Sequence, residues 1–213
     1  MDTSGLVTAI AERLAPGNRP PGFPALLVTL LRELAKGSPV TKDALAQSLG
    51  WPADRVVAML EMALATEYDD AGNVMGYGIS LRKTRHVFEV DCQLLYTWCA
   101  LDTLIFPAVI GKTAHVRSHC PQTGEPIVLT VMPDEVRRVE PADAVVSLLM
   151  PGASADIRSS FCCYVHFFAC ASAGETWSSR HPGSEIVSVA EAFRLGRAIA
   201  RQLSEPQALS SIA

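Results

Sequence analysis

The stretch Leu94-Leu95-Tyr96-Thr97-Trp98-Cys99-Ala100-Leu101-Asp102-Thr103-Leu104-Ile105-Phe106-Pro107 separates a helical first part of the chain from a mixed second part. Leu94, Leu95, Trp98, Leu101 and Ile105 recur at close to 3.6-residue spacing, which predicts a helix opening at Asp91 and closed by Pro107. Positions i and i+3 of a helix share a face, with Cβ atoms roughly 5–6 Å apart. Cys99 and Asp102 then project together, a thiol that becomes a soft ligand once ionised beside a carboxyl able to carry a proton. A second thiol from Phe161-Cys162-Cys163, supplied by Cys162 or Cys163, would complete a site that binds a soft metal and moves a proton beside it.

Upstream, residues 6–14 read as a short amphipathic helix ended by Pro16-Gly17. Residues 24–36 place Leu26, Leu27, Leu30, Leu31 and Leu34 on one face, with Gly37 at the stop. Thr41 can cap a further helix through Leu45 and Leu49 to Gly50, and Pro52 suits the first turn of another whose face is Val56, Val57, Leu60 and Leu64. A turn-like Tyr68-Asp69-Asp70-Ala71-Gly72-Asn73 follows, then a Gly-interrupted, strand-like run over 74–81. Helices followed by a hairpin give a winged-helix-like order, so the chain divides into residues 1–80 and 81–213. DNA recognition is not expected of it. The helix that would enter the major groove offers Asp54, Glu61 and Glu67 around a single Arg55, where base and phosphate contacts need Arg, Lys, Asn or Gln. Packing, or a lid over a neighbouring site, remains.

Downstream, residues 86–90, 114–119, 127–132, 144–149 and 164–169 read as strands, 153–160 as a short helix, and Ser188-Val189-Ala190-Glu191 as the capping box of a final helix. Strands and helices do not alternate regularly. The expected class is α+β, a winged-helix-like helical unit plus a mixed α/β catalytic domain with short antiparallel sheets.

Composition narrows the classes. Of 213 residues, 49% are hydrophobic and 19% charged, which is globular rather than disordered, and the net charge of −4 lacks the footprint of a general nucleic-acid binder. No basic segment followed by an apolar run opens the sequence, and its longest apolar runs fall short of the ~20 residues of a membrane span. A cytoplasmic, membrane-free protein with reduced thiols is the expectation. Of the six cysteines, Cys92 and Cys170 read as ordinary small hydrophobes.

Other chemistries fit poorly. Structural zinc wants paired ligands such as C-x2-C; His115 and His119 lie four apart but in a strand-like segment, and Cys162 and Cys163 point oppositely if extended. Phosphate loops and nucleophile elbows are absent. A redox dithiol gives Asp102 no task, since a carboxylate raises the pKa of a neighbouring thiol. A soft cation, by contrast, deprotonates a coordinating thiol outright, and the released proton needs an acceptor such as Asp102.

The residues also resemble a known family. The sequence is similar to the organomercurial lyases of bacterial mercury resistance through Leu30-Leu31-Arg32-Glu33-Leu34-Ala35-Lys36-Gly37, Glu67-Tyr68, Gly76-Tyr77-Gly78, the segment Leu95 to Pro107, Ser118-His119-Cys120 and Ser160-Phe161-Cys162-Cys163, from about residue 26 to about residue 200. The resemblance implies that Cys99 and Cys162 bind mercury and Asp102 carries the proton, with Cys120 structural and Cys163 not essential. It also implies protonolysis of a carbon–mercury bond with no organic cofactor and no resident metal, mercury being substrate and product. External thiols serve turnover, and a mercuric reductase accepts Hg2+. The competing class is a metal-sensing winged-helix repressor using the same cysteines for binding alone. A thiol–disulfide oxidoreductase ranks behind both.

Overall fold

The computed structural model describes residues 5, 10, 20–150 and 156–204, so the helix expected over 6–14 lies outside them apart from Ile10, which is helical and buried. The next three helices form where the apolar spacing places them: α1 (Phe23–Leu34), α2 (Lys42–Leu49) and α3 (Ala53–Met62). Thr41 caps α2, its hydroxyl accepting the Ala44 N–H at 3.0 Å, and Gly50 closes it in the left-handed region. α3 is shorter than expected. Ala63 ends it with Ala65 at φ 72, so Leu64 falls beyond the helix and is exposed rather than part of the buried face.

The largest correction concerns 91–107. Instead of one helix, the segment completes a hairpin and then begins a helix: β4 (His86–Val90) turns into β5 (Gln93–Thr97), and α4 runs Ala100–Ile110. The turn is made by Asp91 and Cys92, both at positive φ (48° and 63°), the geometry of a two-residue hairpin loop whose twist matches the strands. Within β5 the side chains alternate, Leu95 and Thr97 inward while Leu94 is exposed, so the helical spacing of the leucines is fortuitous. Nor does Pro107 end α4. It forgoes one backbone bond within the helix, and the helix continues to Gly111 because Val109 and Ile110 are buried.

Three short strands, β1 (Glu67–Tyr68), β2 (Val74–Tyr77) and β3 (Ile79–Ser80), pair through β3 with β5. With β4, β6 (Ala114–His119), β7 (Pro126–Val131) and β8 (Val136–Glu140) they form one eight-stranded sheet ordered β1-β2-β3-β5-β4-β6-β7-β8, every pair antiparallel. The hairpin behind the helical unit is thus the edge of the same sheet that carries the second half. A three-stranded sheet, β10-β9-β11, is built from β9 (Val145–Leu149), β10 (Phe167–Phe168) and β11 (Ser184–Ser188). The α+β class holds. Elements the periodicity did not signal are β8, β11 and the helix α6 (Ala171–Ser178); the strand expected over 164–169 shrinks to β10 behind a 3-10 turn, Cys162–Tyr164.

α4 lies against the large sheet and packs on the last helix, α7 (Val189–Ser204), and α1 packs across both. Leu101, Leu104 and Val109 are fully buried there, each removal from water contributing roughly 1.5–3 kcal/mol. α7 starts at the capping box read from sequence, Ser188 and Glu191 each bonding the other's backbone N–H. Among the described residues no helix is long and apolar enough to cross a membrane.

Candidate active site

Cys99 stands at the junction where β5 gives way to α4. Three backbone ties hold the junction: Trp98 N–H to Gly78 O at 3.0 Å, Ala100 N–H to Val165 O at 3.1 Å, and the Thr97 hydroxyl to Cys99 O at 3.0 Å. Cys99 is the N-cap of α4, extended at φ −143°, rather than a residue inside a helix. It forms a reciprocal capping box with Asp102. The Cys99 sulfur accepts the Asp102 N–H, and Asp102 Oδ2 accepts the Cys99 N–H at 3.1 Å. The pairing expected from i, i+3 spacing is present, set by a cap instead of a helix face. Negative charge forming on that sulfur meets the positive end of the helix.

Cys162 arrives from the other half of the chain. Asp156 caps the short helix α5 (Ile157–Ser160), accepting from Arg158 and Ser159, and Phe161 leads into the 3-10 turn. Cys162 is buried and Cys163 exposed. They diverge as expected, although a turn and not an extended strand separates them. One ligand atom each from Cys99, Asp102 and Cys162 lies within 4.8 Å of the others, the one such group of three or more His, Cys, Asp or Glu among the described residues.

Asp102 and Cys162 border an apolar cavity of about 110 Å3, with the fully buried Cys99 behind them. Its walls include Phe23 and Leu27 of α1, Tyr77 of β2, Trp98, and Ile105 and Phe106 of α4, while Asp102 and Cys162 contribute the polar edge. Tyr77 bridges Phe23 and Trp98, with ring centroids 6.3 and 5.2 Å away. Gly78 adopts φ +77°, and a Cβ there would sit 2.5 Å from the Phe106 ring, so the wall requires glycine at this position. Trp98 faces the cavity, stacks under the Arg158 guanidinium at 5.0 Å, and gives its indole N–H to Glu67 at 3.3 Å.

Burial sets the protonation. Asp102 is pushed up to about 7 by desolvation, against the pull of hydrogen bonds from the Cys99 thiol and the Cys99 and Trp98 backbone and of the Arg158 charge. Burial drives the Cys99 thiol well above its ordinary value, assisted by its hydrogen bond with Cys162 and the nearby Asp102. For Cys162 the hydrogen bond from Cys99 lowers the value, but desolvation with the charges of Asp102 and Cys163 leaves it raised. The site therefore holds protons on both sulfurs until a ligand takes their place, with a carboxyl poised to exchange one near neutrality.

The remaining candidates lie elsewhere. His115 and His119 are exposed on β6, His86 is buried, and His166 is half-buried beside β10. Cys92 is exposed in its turn, and Cys170 caps α6 with its sulfur 3.2 Å from Ser172 Oγ. Cys120 is buried where β6 ends; burial raises its thiol, yet bonds from Thr123 and from the Ala169, Thr123 and Gln122 backbone bring it below the ordinary value. Phe23, Leu27, Glu67, Tyr77 and Arg158 were not assigned roles from sequence. Leu27 was read only as part of an apolar helix face, Glu67 as one of the acids of the third helix, which in fact ends at Met62 and leaves Glu67 on β1, and Arg158 carried no signal.

Two family models span nearly the whole chain: the alkylmercury lyase model matches residues 79–201, and the helix-turn-helix domain of alkylmercury lyase matches residues 5–78. Among curated relatives, the alkylmercury lyase of Pseudomonas putida is 57% identical over 96% of this chain and 97% of its own, and that of Streptomyces lividans 47% identical over 93% and 92%. The alkylmercury lyase of Bacillus cereus is 42% identical over 94% and 92%. The fold superposes with a TM-score of 0.80 on a crystal structure of the mercury-bound form of MerB2, 22% identical, covering 94% of this chain and all of the other. Matched by two family models over nearly its whole length and by relatives 42–57% identical, the chain belongs to the alkylmercury lyase family.

Proposed function

We propose that the protein cleaves organomercurials by protonolysis, R–Hg+ + H+ giving R–H and Hg2+, with Cys99 and Cys162 as the mercury-binding thiols and Asp102 as the proton carrier. The observation that carries this reading is the convergence of two sulfurs and a carboxylate oxygen within 4.8 Å of one another at the edge of an apolar cavity.

The steps balance as follows. R–Hg–SR′ enters as a thiol adduct, and one site thiol displaces the carrier, its proton leaving on R′SH. Mercury is soft and exchanges thiolate for thiolate more readily than for oxygen. The second site thiol then coordinates and gives its proton to the Asp102 carboxylate. Two thiolates push electron density onto carbon, the C–Hg bond breaks, and Asp102 delivers the proton to carbon, releasing R–H. Hg2+ remains on the two sulfurs until cellular thiols, or a mercuric reductase, remove it. The apolar walls suit an alkyl or aryl group and exclude water from the reacting atoms. The α4 N-terminus stabilises charge on Cys99, and a carboxyl near pH 7 can both accept and return a proton. No organic cofactor and no resident metal enter these steps.

The test is headspace gas chromatography after mixing the protein with phenylmercuric acetate and excess thiol. Stoichiometric or catalytic benzene supports the reading. Mercury bound at two thiols without benzene, accompanied by metal-dependent retardation of DNA in a gel-shift assay, would replace it with the metal-sensing repressor.

A further inference from the structure

Glu67 is a buried carboxylate that the reaction above does not use. It lies on β1, at the edge of the sheet, with 6% of its side chain exposed. One oxygen accepts the Ser80 hydroxyl; the other accepts the Trp98 indole at 3.3 Å and the Arg158 guanidinium. Space for it is made by Gly76, where a Cβ would stand 2.5 Å from Glu67 Oε2. Arg158 belongs to α5, four residues ahead of Cys162, and its cation sits 5.0 Å over the Trp98 ring. Trp98 in turn precedes Cys99. The carboxylate thus grips Trp98, next to Cys99, and Arg158, one helical turn before Cys162, the second contact spanning 91 positions of sequence.

We propose that Glu67 is a positioning residue for the reaction: by holding Arg158 against Trp98 it fixes α5, and with it Cys162, at the separation from Cys99 that a shared mercury ion requires. This rests on the reading of Cys99, Asp102 and Cys162 given above. α5 is a single turn with no fully buried residue; the half-buried Ile157 is its own apolar contact with the core, and the Arg158 tie adds a second point of attachment. The side chain of Arg158 is 39% exposed, and without its counter-ion it is free to turn to solvent, taking its charge away from Trp98 and loosening α5. An exposed ion pair would contribute little, but one whose acid is buried leaves an uncompensated charge when broken.

A double-mutant cycle on the whole protein tests this, using Glu67→Gln, Arg158→Gln and the pair, with kcat and KM for benzene release and the indole N–H resonance of Trp98 as readouts. Each single change is expected to lower kcat roughly 10- to 100-fold, as outer partners of metal ligands do. KM should change little, and the double variant should be no slower than the slower single, because the two residues act as one unit. The Trp98 resonance should shift in both singles. Losses that multiply, or wild-type kcat in Glu67→Gln, would overturn the proposal. If Glu67→Gln does not fold, Arg158→Gln at the surface carries the same expectations, and wild-type kcat with an unmoved resonance overturns it. A wild-type protein that releases no benzene sinks the thiol assignment instead, so the two failures are distinguishable.

Discussion

Two clusters of largely desolvated titratable side chains, one including Cys162 at the start of the Cys162–Tyr164 turn and one including His166 just past its end, answer burial in opposite ways. Cys99, Cys162 and Asp102 are acids, and desolvation keeps their protons on, Asp102 at about 7 and both thiols raised. His86 and His166 are bases, and the same desolvation strips theirs, to about 3 and about 4, assisted by the cationic Arg85 nearby. The two rings stack 6.2 Å apart; His86 Nδ1 meets Ser118 Oγ at 3.0 Å, and His166 Nδ1 has no hydrogen-bond partner among the described residues. Low dielectric favours the neutral form in both places. An acid kept neutral still has a proton to deliver, whereas a base kept neutral has lost it. That is why the first cluster can do proton chemistry near neutrality and the second is packing, whatever the metal-binding reputation of histidine.

The contrast breaks most visibly at the sulfurs. Cys99→Ala is expected to reduce benzene release from phenylmercuric acetate to background, and Cys162→Ala likewise. Cys163→Ala, its thiol exposed outside the group of three, should keep substantial turnover. Gas chromatography ranks the three, and an active Cys162→Ala beside a dead Cys163→Ala would reverse the assignment. Asp102→Asn comes next. It should still bind Hg2+ on two thiols, seen by thiolate-to-mercury absorption, while turnover falls about 10^2–10^4-fold for loss of a positioned acid–base group. The helix cap survives in that variant, because the amide oxygen can still accept the Cys99 N–H, so lost rate cannot be blamed on a frayed α4.

How far the sequence alone reached differs between these two regions, for a physical reason. Cys99 and Asp102 were legible as a pair because three-residue spacing brings groups together both along a helix and across a capping box, so the wrong local structure gave the right neighbour. The helix itself was misread. Asp91 and Cys92 make a hairpin turn without the Asn-Gly or Asp-Gly that announces one, and a cysteine at positive φ is not a turn signal. The approach of Cys162 to Cys99 depends on α5, a 3-10 turn and contacts with β9, none of which has a period to read; the residues left Cys162 and Cys163 open as the second thiol, and only the family resemblance chose between them. Glu67 was read as a solvated acid of the third helix and the histidine stack was silent, since a buried carboxylate and a surface one look alike until the fold supplies their partners.

The smallest effects, on stability, test the contrast in its own terms. Asp102 has a folded value near 7 against 3.8 unfolded, so the native protein binds the extra proton and loses stability as pH rises from about 4 through 7. Asp102→Asn removes this dependence and should be more stable than the parent at pH 8, by on the order of 1–4 kcal/mol, with the gap closing toward pH 4. His166 runs the other way. Its folded value of about 4 lies below the ordinary 6.5, so the native state binds fewer protons and stability is lost as pH falls through that window. His166→Phe keeps an aromatic ring against Trp177 and Phe168 and removes both the suppressed base and its unpartnered nitrogen. Urea titrations at pH 4.5 and 7.5 should show it losing less stability on acidification than the parent, by roughly 1–2 kcal/mol. An acid limb as steep as the parent's would mean that His166 is already charged in the folded protein, and the two clusters would no longer be opposites.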